Sequence, residues 1–245
     1  MMKSTLKSIF CLSLISLSPL FAATPNRDAI PVQQVFTPEG FNIYENAQIV
    51  ISGFLPNLCH KSPKIDATVD ESKKEINVSA TSLIYDPSNP LCPEVILPFT
   101  KTVDIGELKT GEYKVFVNKN TEFEVEDKLL VDRTDPVDIN RDKIFANVYA
   151  IEESTSNENE VILKGYNPST CYELDSVTVN SDQDGTFTVT PILKQVSEHC
   201  TFKMTPLDIP VVLPLSNTFE NILVHVKTMD GNSINQVINP VVLKN

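Results

Sequence analysis

The sequence predicts an all-β protein made of two tandem β-sandwich domains behind an N-terminal signal peptide. Three observations carry this: a seven-residue pattern that occurs twice about 110 positions apart, alternating β-branched segments, and turn residues recurring about every ten positions. No run of twelve residues has a helical hydrophobic period. The domains expected are a signal peptide at residues 1–23, a first module at 24–131, a linker at 132–142 and a second module at 143–245.

The leader opens with Lys3 and Lys7, continues through the apolar residues 9–21 and ends in Ala22 and Ala23, the order of a secretory signal. Ser13, Ser16, Ser18 and Pro19 interrupt the run, which makes it a poor membrane span. Cleavage is expected after Ala22 or Ala23. Phe10 directly before Cys11 makes a poor lipid-attachment signal, so soluble export is expected, with no transmembrane segment in the mature chain. Losing the two leader lysines would take the net charge from −12 to −14, which disfavours phosphate-bearing partners and nucleic acid. Four cysteines then remain, an even number that favours disulfides in an oxidising compartment.

The repeat aligns Gly53-Phe54-Leu55-Pro56-Asn57-Leu58-Cys59 with Gly165-Tyr166-Asn167-Pro168-Ser169-Thr170-Cys171, with Gly, aromatic, Pro and Cys at identical offsets. Ile49-Val50-Ile51 precedes the first copy and Val161-Ile162-Leu163 the second. A second Cys follows 33 positions later in one copy and 29 in the other, then Pro98 or Pro206 six residues on. The last matched strand is Val115-Phe116-Val117 against Val224-His225-Val226. Solenoid repeats run ~20–50 residues, so this longer period reads as a domain duplication. The alignment predicts one bridge per module, Cys59 with Cys92 and Cys171 with Cys200.

Between these landmarks, Ile65, Ala67 and Val69, then Ile76, Val78 and Ala80, alternate with polar residues as half-buried strands do. Asp184-Gly185 joins Val177 and Val179 to Phe187 and Val189 in a hairpin, and Asp230-Gly231 turns Val224 and Val226 towards Ile234 and Val237. Tyr113, Val115 and Val117 return through Asn118 and Asn120 into Phe123 and Val125. Asp132, Asp135, Pro136, Asp138 and Asn140 make the polar joint between modules, and residues 24–38 are expected to supply the first strand.

With the late strand Gly111-Glu112-Tyr113-Lys114-Val115-Phe116-Val117 and the G-x-x-P-x-x-C turn, the modules resemble bacterial extracytoplasmic immunoglobulin-like β-sandwich repeats. That resemblance implies adhesion, scaffolding or assembly. There is no Trp for an antibody-type core.

No nucleophile elbow, Walker loop, zincin motif or Rossmann glycine pattern occurs, so neither catalysis nor a cofactor is expected. His60 and His199 abut Cys59 and Cys200, but neighbouring strand residues face opposite ways, which argues against zinc. His225 lies between two valines expected in the core and is therefore expected to face solvent. Asp132, Asp135, Asp138, Asn140 and Asp142 are the one candidate calcium ligand set, against the reading of a solvated linker. What remains is surface: Pro-rich residues 91–100 and 205–215 are expected to be sheet edges. The function expected is a non-catalytic, exported protein-interaction subunit of the bacterial cell envelope, in the periplasm or at the outer-membrane periphery, within an assembly such as an outer-membrane secretion complex. The alternative is a secreted, extracellular adhesin or ligand-binding module for a glycan or host protein, in which Tyr44, Tyr85, Tyr166 and Tyr172 could stack on a sugar.

Overall fold

The computed structural model describes residues 26–84, 91–132, 144–157, 159–182, 184–201, 203–215 and 219–239. The expected signal peptide and residues 133–142 of the expected linker lie outside them. Nine strands precede the linker: β1 (Asn26–Ala29), β2 (Val32–Phe36), β3 (Phe41–Asn42), β4 (Ala47–Leu55), β5 (His60–Asp70), β6 (Glu75–Ile84), β7 (Leu97–Gly106), β8 (Gly111–Val117) and β9 (Val125–Asp132). Eight follow it: β10 (Ile144–Phe145), β11 (Asn147–Glu153), β12 (Glu160–Asn167), β13 (Tyr172–Ser181), β14 (Thr186–Gln195), β15 (Thr205–Val212), β16 (Ile222–Lys227) and β17 (Ser233–Ile238). The chain is nearly all β. Among the described residues no strand of one set pairs with a strand of the other.

Each set forms a three-stranded and a larger sheet with a core between them. In the first module β2-β4-β7 faces a sheet of β5, β6, β8, β9 and β3, with β1 added beside β6. In the second, β11-β12-β15 faces β13, β14, β16 and β17, with β10 beside β14. The alternation read from the sequence is visible in the cores. Ile76, Val78 and Ala80 on β6 are buried, as are Phe187 and Val189 on β14. On the edge strand β5, by contrast, Ile65 and Ala67 are only half-buried.

Of the residues 24–38 expected to supply the first strand, the described ones, 26–38, do supply it, but it is divided. β1 pairs with β6 in one sheet, the chain crosses at Ile30 and Pro31, and β2 pairs with β4 in the other. The second module repeats this around Ala146, with β10 on β14 and β11 on β12. Even the register slip recurs, between Val32 and Gln34 and between Val148 and Ala150. The crossover explains the repeated glycine. A Cβ on Gly53 would lie 2.3 Å from the Pro31 carbonyl oxygen, and one on Gly165 2.4 Å from that of Asn147, so only glycine lets the crossing backbone pass.

The topology adds two details to the expected plan. An immunoglobulin sandwich is built from antiparallel sheets, whereas here β6 runs parallel to β8 and β14 parallel to β16. The reason is connectivity: between each such pair the chain crosses to the small sheet as β7 or β15, so it returns in its original direction. Asp132, expected in the linker, ends β9, where it pairs with Asn42 of β3.

Candidate interaction surfaces

The four cysteines singled out for chemistry are structural. Cys59 is bonded to Cys92 and Cys171 to Cys200, with Cα–Cα distances of 5.6 and 5.2 Å. As disulfides these sulfurs are not thiolate ligands for a metal. His60 is buried with its Nδ1 2.7 Å from Ser82 Oγ, while His199 is exposed. Among the described residues no three His, Cys, Asp or Glu side chains gather as metal ligands. The calcium set falls outside the described residues apart from Asp132. At the hairpin turn, Asp182 Oδ1 accepts from the Asp184 and Thr186 amides, the local bonding of a turn aspartate.

His225 corrects the sequence reading. Val224 and Val226 do face the core, yet His225 on the opposite face is fully buried. That face is covered by the first module. The outer side of β2 and β4 lies on the outer side of β16 and β17, with Phe36, Val50 and Leu223 buried together and Val237 packed on them. Phe41 of β3 meets His225 edge to face, with ring centroids 5.3 Å apart.

A directed hydrogen-bond chain crosses this seam. Asn235 Nδ2 donates to Gln48 Oε1 at 2.7 Å, as does Ser233 Oγ at 2.6 Å, and Gln48 Nε2 donates to Asp104 Oδ1 at 2.7 Å. With its amide so engaged, Asn235 turns its Oδ1 to His225 Nδ1 at 2.7 Å, so the imidazole carries its proton on Nδ1. His225 Nε2 is buried with no hydrogen-bond partner, as are Ser52 Oγ and Thr186 Oγ1 on the faces that meet there. Burial pushes the His225 pKa down to about 4, and the nearby Lys227 ammonium acts in the same direction against the Asn235 hydrogen bond. Lys227 itself crosses the seam to both Glu45 carboxylate oxygens, at 3.2 and 3.0 Å, and to the Gly40 carbonyl.

Elsewhere the surface offers two features. β7 and β15 are edge strands, as the prolines implied. The chain leading into β7 carries Leu91, Val95, Ile96 and Leu97, of which Leu91 is 80% and Ile96 63% exposed. Exposed Leu58 lies near them, its backbone N–H donating a hydrogen bond to the Pro93 carbonyl, beside the Cys59–Cys92 bridge. On the second module, Tyr149 of β11 lies 6.5 Å from Tyr166 of β12, centroid to centroid. The sequence reading missed Tyr149, since the cross-strand register that pairs the rings includes a slip. Of the other tyrosines, Tyr44 is exposed in the first module and Tyr172 packs on the second core, so they do not join Tyr166 in one aromatic site; Tyr85 lies outside the described residues.

A shallow depression lined by Ile43, Glu71, Leu108 and Lys109 opens above buried Tyr113. There Lys74 Nζ donates to the Tyr113 hydroxyl at 2.8 Å, and that hydroxyl donates to Glu71 Oε1 at 2.9 Å. Burial raises the tyrosine pKa. Glu71 Oε2 makes no hydrogen bond but lies 3.9 and 3.7 Å from the Lys74 and Lys109 ammonium groups, and the tyrosine hydroxyl serves to close the end of the core.

Residues 49–125, from β4 to the start of β9, are similar to the ORF11 β-sandwich domain family. No curated protein and no solved structure matches the chain. No helix among the described residues is long and apolar enough to cross a membrane.

Proposed function

We propose that this is an exported, non-catalytic protein of the bacterial cell envelope that works by protein contact, as an accessory subunit of a larger assembly such as an outer-membrane secretion complex. The observation that carries this reading is the aliphatic group Leu58, Leu91, Val95, Ile96 and Leu97 exposed beside β7, which is an edge strand among the described residues. Clustered exposed aliphatics mark contact sites on soluble proteins, and an open strand edge can add a partner's strand. Two disulfides accord with an oxidising compartment.

The test is affinity recovery from gently solubilised envelopes of the native cells, comparing the tagged protein with a Leu91→Asp, Ile96→Asp variant. The reading expects stoichiometric partners with the former and their loss with the latter. A monomer recovered without partners, or equal recovery with the variant, overturns it. The neighbouring rings of Tyr149 and Tyr166 favour a second reading, a secreted binder that stacks a sugar on aromatic faces. Glycan binding abolished by Tyr149→Ala in a protein found in the medium would establish that reading instead.

A further inference from the structure

We propose that the seam between the two modules is an acid-sensitive joint, closed while His225 is neutral and opened when its imidazole takes a second proton. The geometry carries this. His225 is fully buried where the modules meet, and its Nδ1 proton is committed to Asn235 in a chain that runs on through Gln48 to Asp104. The second proton must enter at Nε2, which faces no acceptor. A buried N–H without an acceptor is costly, and a buried unpaired charge more so.

The groups around His225 do not relieve it. On its own strand stands the Lys227 ammonium, a like charge; β17 offers Asn235, β3 the edge of Phe41, and β4 the already engaged Gln48. Glu45, the nearby carboxylate, holds Lys227 with both oxygens. Elsewhere on the seam Asp127, half-buried on β9, faces Asp184 and Asp182 of the second module, and burial together with those charges raises its pKa. Protonating Asp127 favours closure and therefore opposes His225.

The sign follows from linkage. Opening returns His225 from a pKa of about 4 towards its ordinary 6.5. A basic group depressed in the closed state favours closure above 6.5 and loses that contribution as pH falls towards 4. Between pH 7.5 and 4.5 the closed-to-open ratio should fall about 70-fold from His225 alone. The apolar part of the seam that holds the modules together is small, Phe36, Val50 and Leu223 with Val237, beside the polar links of Lys227 to Glu45 and of Asn235 and Ser233 to Gln48.

The test is small-angle scattering of the full chain at pH 7.5 and 4.5, with far-UV circular dichroism as a check on the sandwiches. The natural protein should expand at pH 4.5 with its strand signal intact, while His225→Phe, which keeps an aromatic ring against Phe41, stays compact. Asp127→Asn, which is neutral at both pH values as protonated Asp127 is, should expand less than the natural protein at the lower pH. An unchanged radius of gyration in the natural protein, or equal expansion of His225→Phe, overturns the proposal. If His225→Phe does not fold, NMR titration of the natural protein decides: with three histidines in the chain the imidazole signals separate readily. The His225 signal should shift in the pH interval where the molecule expands, and a shift with no expansion overturns the proposal.

Discussion

The two modules share a strand plan and differ in the faces they turn outward. At matched positions, the larger sheet of the first module presents Glu75, Lys114, Glu126 and Lys128, where the second presents Thr186, Leu223, Asn235 and Val237. Phe116 matches His225, and it is shielded by its own Lys119, whose Nζ stands 3.8 Å from the ring centroid, rather than by another module. On the small sheets the contrast reverses. Phe36, Val50 and Ser52 of the first module are buried in the seam, whereas the second has Glu152, Ile162 and Lys164, with Lys164 paired to Asp208 at 2.9 Å and Glu152 at 3.6 Å. The shared strand plan thus sets the frame, and charge distinguishes the faces that are covered from those that stay wet. Extending the seam from chain to chain would bring Glu160, the match of Gln48, against Glu124 and Glu126, the matches of Ser233 and Asn235. Like charges there disfavour such an extension.

The largest test of the comparison is removal of one bridge at a time. Replacing Cys59 and Cys92, or Cys171 and Cys200, by Ala should each cost about 3–4 kcal/mol in chemical denaturation, because the closed loops are nearly equal in length. A markedly greater loss from the second pair would trace to Cys171, which is fully buried. Next comes the crossover glycine. Gly165→Ala and Gly53→Ala should each cost about 2–3 kcal/mol, read as a lowered melting temperature, since the obstacle is rigid backbone in both modules. A mild effect in one module alone would show that its crossover can yield. The smallest effect belongs to the wet face: Lys164→Met removes an exposed ion network and should change stability by no more than about 0.5 kcal/mol. Glu45→Gln, which weakens the shielded partner of Lys227 across the seam, should cost clearly more, about 1–2 kcal/mol.

Local pattern made the strands, hairpins, bridges and edge prolines legible in the sequence. Asp184-Gly185 and Asp230-Gly231 sit at the turns they implied, with Gly185, Asp230 and Gly231 at positive φ. What pattern could not convey was register between distant strands, hence the parallel β6–β8 and β14–β16 pairs. Nor could it convey that a sheet's outer face is covered. Alternation placed His225 opposite the valine core correctly, but solvent exposure does not follow when another module lies there. Lys227 illustrates the same limit: its partner Glu45 is 182 positions away, and neither residue is unusual in its own segment. The matching position in the first module, Asn118, works entirely inside that module, donating to the Ile30 carbonyl and accepting from the Ala80 amide.

The short strand β3 links assembly of the seam to the order in which the chain is made. Its partner is β9, the last strand of the first module, so Phe41 gains its seat opposite Val131 only after that strand is laid down. Phe41 also supplies the edge that rests on His225. Contacts so far apart in the chain form slowly. The surface on which the second module rests is therefore complete only when β3 and β9 have paired.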